Sequence, residues 1–126
     1  MFMPHCIIEY AKDIESHVKG IINASYLGLS HSNLFAENDI KIRAMPFEYY
    51  QKGDSIFNDS SSAFIHIRIH ILSGRSTKEK SDLSHAVLNS VSLAHDDIKN
   101  VSVEIIDIES SSYAKCVTNR DISPCY

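Results

Sequence analysis

The sequence predicts an α+β domain in which two βαβ units lie side by side. Three observations carry that prediction. Residues 63–73, AFIHIRIHILS, alternate with the period of a strand, placing Ile65, Ile67, Ile69 and Ile71 on one face and Phe64, His66, Arg68 and His70 on the other. Two other stretches switch to helical spacing: Ile14, Val18, Ile21, Ile22 and Ser25 in one, and Leu83, Ala86, Val87, Val91 and Ala94 in the other. Finally, strand–helix–strand occurs twice over similar lengths, about 4–45 and 63–108, a faint internal repeat.

The first strand is PHCIIEYA, residues 4–11, short and rich in β-branched residues. A helix is expected from Asp13, with Asp13 as its N-cap and Gly28 as its stop. The loop-like SHSNLFAEND leads to DIKIRAM. There Ile40, Ile42 and Ala44 share one face, and Lys41, Arg43 and Met45 the other. Pro46 should end this strand or mark an edge. Turn chemistry at Gly53-Asp54 and Asn58-Asp59-Ser60 separates the halves. After the 63–73 strand, Ser76 or Thr77 is positioned to cap the second helix. NVSVEIIDIE is apolar on both faces in its second half, which predicts a central strand. Residues 109–126 are a polar C-terminal arm, so a single domain spanning 1–126 is expected.

Each βαβ crossover pairs its strands in parallel with right-handed connections. The result is one four-stranded sheet with both helices on one face. The opposite face then lacks a cover, and Phe64, Ile106 and Ile108 fall on it. A sheet bare on one side favours self-association.

The 126 residues carry a net charge of −4 with scattered basic residues, which argues against nucleic acid as a partner. No stretch approaches the ~18 apolar residues of a membrane span. Lys12, Asp13 and Glu15 come too early for a secretory signal. Cys6, Cys116 and Cys125 form no C-x-x-C pair and read as thiols of a reducing cytoplasm. His66 and His70 invite a metal reading, but on a strand they stand ~13 Å apart. Zinc needs its nitrogens within about 2.1 Å, so no metal or other cofactor is expected.

Pro4 can carry chemistry only as the first residue of a chain, where it has a free secondary amine. Burial or a nearby cation disfavours the protonated form and brings such an amine toward working pH. Met3-Pro4-His5, followed by Ile7, Ile8 and Glu9, resembles the start of the 5-carboxymethyl-2-hydroxymuconate isomerase family of the tautomerase superfamily. Ala63, Phe64, His66, Gly74, Arg75 and Ser76 resemble that family's strand and Gly-Arg-Ser turn into its second helix. IKIRA resembles its paired arginines, with Lys41 in place of the first and Arg43 matching the second; SSYAKC resembles its C-terminal Tyr-x-Lys element.

The resemblance implies a homotrimer of βαββαβ subunits, of tautomerase-like fold, acting in aromatic-compound catabolism. Pro4 would move a proton between carbons of a small unsaturated 2-oxo or 2-hydroxy acid. Arg75 would act beside it, with Lys41, Arg43 and His5 binding the carboxylic acid substrate. Met1-Phe2 precede Met3, and a chain that starts at Met1 keeps its methionine because Phe2 is large. Met3 is therefore the expected start, or the extra residues are processed away. The rival expectation is a non-catalytic trimeric binding or scaffold protein of the same fold, favoured by Lys41 and by the residues before Met3. A ferredoxin-like RNA binder is disfavoured, because the best strand presents histidines and an arginine with only Phe64 to stack bases.

Overall fold

The computed structural model describes residues 4–54 and 62–117. Strands β1 (His5–Ala11), β2 (Lys41–Phe47), β3 (Phe64–Leu72) and β4 (Asn100–Ile108) form one sheet in the order β2-β1-β3-β4. Within each half the strands are parallel, β1 with β2 and β3 with β4; the halves join where β1 runs antiparallel to β3. The crossovers are α1 (Val18–His31) and α2 (Thr77–Ala94).

Strand alternation creates the core. Cys6 and Ile8 of β1, with Ile65, Ile67, Ile69 and Ile71 of β3, all point to one side and are fully buried. Ile21 and Leu29 of α1 and Leu83, Val87 and Val91 of α2 close over them. The two helices touch each other directly. A Cβ built on Gly28 would stand 2.7 Å from the Cα of Val87. The Ser90 hydroxyl donates to the Ala24 carbonyl at 2.6 Å.

Gly28 is therefore a crossing point within α1 rather than its stop. The helix runs three residues further, and Asn33 takes up the left-handed turn at φ 60°. Its start also differs from expectation. Lys12–His17 form a 3₁₀ segment in which Ile14 leaves helical dihedrals (φ −106°, ψ 25°) and is buried. Asp13 caps nothing and accepts a hydrogen bond from the Tyr50 hydroxyl instead. At α2 the expected cap forms. The Ser76 hydroxyl accepts from the Glu79 amide while the Glu79 carboxylate accepts from the Ser76 amide. Gly74, at φ 121°, makes the tight turn that delivers Arg75 to this helix start.

Three further expectations change. β4 is an edge strand and none of its residues is fully buried. Its apolar second half is split, with Ile105 toward the helices and Ile106 and Ile108 on the bare face. Ala94 is exposed at the end of α2. Cys116 is disulfide-bonded rather than a thiol; Cys125 lies outside the described residues. Cys6 is a buried free thiol, pushed up to about 12 by its burial, and so is inert packing. Pro46 does sit in an edge strand, β2. Residues 118–126 of the arm and Asn58-Asp59-Ser60 of the expected turn fall outside the described residues. Among the described residues no helix is long and apolar enough to cross a membrane.

Candidate active site

On the bare face of the sheet, the side chains opposite the core phase are largely polar. They divide into two groups. In the middle of β3 and β4 the charges neutralise one another. His66 contacts Ser102 at 2.7 Å and Glu104 at 2.5 Å, and Arg68 lies 3.9 Å from Glu9 and 4.0 Å from Glu104. His66, which had invited a metal reading, belongs to this ion-paired group.

The second group lies where β1 and β2 begin. The sheet register sets His5 beside Lys41 on one side and His70 on the other. Arg43, two residues along β2, donates from Nη1 to His5 Nδ1 at 3.2 Å. A guanidinium can only donate, so Nδ1 holds the lone pair and the neutral ring carries its proton on Nε2. That nitrogen meets the Tyr113 hydroxyl at 3.1 Å. The neutral form is also what the surroundings favour: burial, then Arg43, Lys41, His70 and Lys115, all hold His5 below its ordinary value. His70 is lowered in the same way by burial, then Arg68 and Arg43, against an opposing pull from Glu104. Its Nε2 is buried without a hydrogen-bond partner. Lys41 is lowered by burial and by Lys115, with Asp39 opposing.

His5, Ile7, Arg43, His70 and Ile108 line a small cavity of about 170 Å³ in this region. It has a cationic wall from Arg43 and an apolar wall from the two isoleucines. Neither Lys41 nor Arg43 forms an ion pair among the described residues. By contrast Arg68, Arg75, Lys78 and Lys80 each have a carboxylate. In a chain of net charge −4, Lys41 and Arg43 thus bring two cations together with no ion pair among the described residues, although the charge of Asp39 acts on Lys41.

Pro4 is fully buried, and its carbonyl accepts from the Lys41 amide at 3.2 Å, extending the β1–β2 ladder by one residue. In strand phase it goes with Cys6 and Ile8, toward the helix layer, whereas His5 goes with the cationic group. Arg75 reaches the same end of the sheet from the β3–α2 turn. Its Nη2 donates to the Leu34 carbonyl at 2.9 Å, its Nη1 lies 3.4 Å from Glu79, and its guanidinium sits 5.9 Å from the centre of the Phe35 ring. Those contacts tie the start of α2 to the α1–β2 loop.

Three of the sequence-predicted residues, His5, Lys41 and Arg43, thus form one cluster. Pro4 joins it through the backbone, while the contacts of Arg75 run through the loop above the helix layer. His70, Ile7 and Ile108 were not singled out as site residues. Their place depends on the antiparallel β1–β3 register, a long-range pairing for which the sequence carries no local signal.

The family model for 5-carboxymethyl-2-hydroxymuconate isomerase (CHMI) matches residues 4–118. No curated protein sequence matches the chain. Among solved structures, one of a 5-carboxymethyl-2-hydroxymuconate isomerase from Deinococcus radiodurans R1 superposes with TM-score 0.75 at 23% identity, covering 92% of this chain and 90% of that one. A 5-carboxymethyl-2-hydroxymuconate delta-isomerase superposes with TM-score 0.73 at 14% identity, over 93% and 89% of the two chains. A fused 4-OT described as a symmetric trimer gives TM-score 0.67 at 17% identity, over 91% and 92%.

Proposed function

The chain belongs to the 5-carboxymethyl-2-hydroxymuconate isomerase family, and from that premise we propose that it is a tautomerase acting on a small unsaturated 2-oxo or 2-hydroxy acid. The observation that carries this reading is the cluster of Lys41, Arg43 and His5 at the entry of β1, whose cations form no ion pair among the described residues. Arg43 offers a planar fork to a carboxylate. The hydroxyl-bonded, neutral His5 holds that fork in place and can donate once an anion raises its basicity.

Pro4, freed by removal of Met1–Met3, is the base in this mechanism. Its secondary amine takes a proton from one carbon of the substrate and returns it to another. Burial favours the uncharged amine needed for the first step. Arg75 would stabilise the dienolate oxygen with its guanidinium.

A homotrimer completes the proposal. The half-buried Ile106 and Ile108, on an edge strand and an uncovered face, are surfaces that a second copy of the chain would cover. A role in aromatic-compound catabolism follows from the family's substrate, and the reading places that role in the cytoplasm. That location loses the support of three free thiols, since Cys116 is bridged.

The second reading is a trimeric binding protein without catalysis. The structural partners of Arg75 favour it, because a guanidinium tied to Leu34 and Glu79 has an architectural role independent of any substrate. One assay separates the two. Ketonisation of a simple 2-hydroxydienoate, followed by ultraviolet absorbance, should fall about 10²–10⁴-fold in Pro4→Ala if Pro4 is the acid–base group. No activity in a native protein whose intact mass confirms Pro4 as the first residue supports the binding protein, and an undiminished rate in Pro4→Ala overturns Pro4 as the acid–base group.

A further inference from the structure

Among the described residues, the hydrogen bond that Arg43 makes runs from its Nη1 to His5 Nδ1 at 3.2 Å. A guanidinium has donors only, so this bond exists only while Nδ1 keeps its lone pair. The neutral imidazole meets that condition in one of its two tautomers, the one with its proton on Nε2. With the proton on Nδ1, or with the ring turned over about its Cβ–Cγ bond, His5 cannot accept from Arg43. Whatever holds the Nε2 proton therefore also holds Arg43.

Tyr113 occupies that position. Its hydroxyl lies 3.1 Å from His5 Nε2, and the two rings meet edge to face with centres 6.4 Å apart. A phenol oxygen accepts as well as donates, so it can take the Nε2 proton. Tyr113 comes to His5 from far along the chain. It follows β4 at one edge of the sheet, whereas His5 lies on β1, two strands away. The crossing starts from a clasp at the end of β3. The Ser73 amide donates to the Ile108 carbonyl at 2.9 Å, and the Ser110 hydroxyl donates to the Ser73 carbonyl at 3.2 Å. The Ser110 amide donates to Ser73 Oγ at 3.3 Å. The 3₁₀ turn Ser110–Ser112 then hands the chain to Tyr113. Ser73 directly precedes Gly74 and Arg75, so the clasp ties the C-terminal segment to the turn that carries Arg75.

We infer that Tyr113 is a positioning residue of the site: by accepting from His5 Nε2 it fixes the orientation and tautomer in which the ring holds Arg43 ready for a substrate carboxylate. Tyr113 does so without touching substrate. The cavity beside the ring is lined by His5 and Arg43 themselves, and Tyr113 acts on it through them. The inference rests on the Arg43 cluster being the carboxylate site, but not on Pro4 being amino-terminal.

Tyr113→Phe tests it, because it removes the acceptor and keeps the ring contact. The imidazole nitrogens are read by nitrogen-15 resonance near about pH 7.5, above the ordinary histidine value. The parent should show His5 protonated on Nε2 and unprotonated on Nδ1. In Tyr113→Phe the Nδ1 resonance should leave its parent position, as it should in Arg43→Ala. A parent ring protonated on Nδ1, or an Nδ1 resonance unmoved in Tyr113→Phe, overturns the inference. Kinetics give the second readout. For a 2-hydroxydienoate, Tyr113→Phe should raise KM roughly three- to tenfold, the size of one neutral hydrogen bond, and leave kcat within about twofold. In a His5→Ala background the same change should move KM by no more than about twofold, because Tyr113 acts through His5. Equal effects with and without His5, or a fall in kcat at constant KM, overturn it too. A parent that turns over no 2-hydroxydienoate defeats the tautomerase reading instead, while the Nδ1 resonance still decides whether Tyr113 governs Arg43.

Discussion

The two faces of the sheet obey different rules. Toward the helices, Ile8, Ile65, Ile67, Ile69 and Ile71 are buried in one apolar layer, and helix contact at Gly28 leaves no room for a methyl group. Toward the other side the same strands carry arginine, lysine, histidine and glutamate. That side is itself divided: charges around Arg68 are mutually satisfied, and those around Arg43 are not. One face holds the fold together, half of the other is internally neutralised, and the remaining half is the one we propose as the ligand site. Stability and binding should therefore separate by face.

The largest effect belongs to the packed face. Ile67→Ala should cost roughly 2–5 kcal/mol in chemical denaturation, since a fully buried side chain leaves a cavity in a sheet-centre layer. A cost near that of a surface change would mean the two faces are not so different. Next comes Arg43→Ala. Its stability should stay within about 0.5 kcal/mol of the parent. Affinity for a 2-oxo acid, read by calorimetric titration, should fall roughly tenfold to a hundredfold with the loss of a charged hydrogen-bond donor. Equal loss of stability and affinity would assign Arg43 to the fold instead.

The smallest effect concerns pH. His5 and His70 both titrate below the ordinary imidazole value in the folded chain. The unfolded chain therefore binds more protons as pH falls below about 6.5, and stability contributed by the neutral rings is lost through that window. A bound carboxylate reverses the sign for His5, because an anion favours its protonated form. Thermal melts between about pH 7.5 and 5.5 should thus decline without ligand and decline less with a dicarboxylate present. A ligand that steepened the decline would place the anion away from these rings.

What the sequence revealed divides along the same line. Period-two alternation in β2 and β3 and the helix cap at Ser76 are local, and each is present where the residues placed it. Gly28 illustrates the opposite case. Locally it looks like a helix stop, and only the approach of Val87 from the other crossover gives its real purpose. The same holds for β4, whose apolar second half suggested a central strand although it lies at an edge. Order in a sheet is a long-range property, and apolar residues on an uncovered face look like core. At the candidate site, Lys41 and Arg43 were legible because they sit on one strand. The grouping of Arg43 with His70 depends on β3 coming alongside, which no local pattern announces.

The central claim is that the cationic end of the bare face serves an amino-terminal proline. Two preparations of the same protein test it most directly, one beginning at Pro4 and one retaining Met3, each verified by intact mass and compared for ketonisation of a 2-hydroxydienoate. The account predicts that retaining Met3 lowers the rate by about 10² or more, because an acylated nitrogen cannot take up a proton. Equal rates in the two preparations would contradict it.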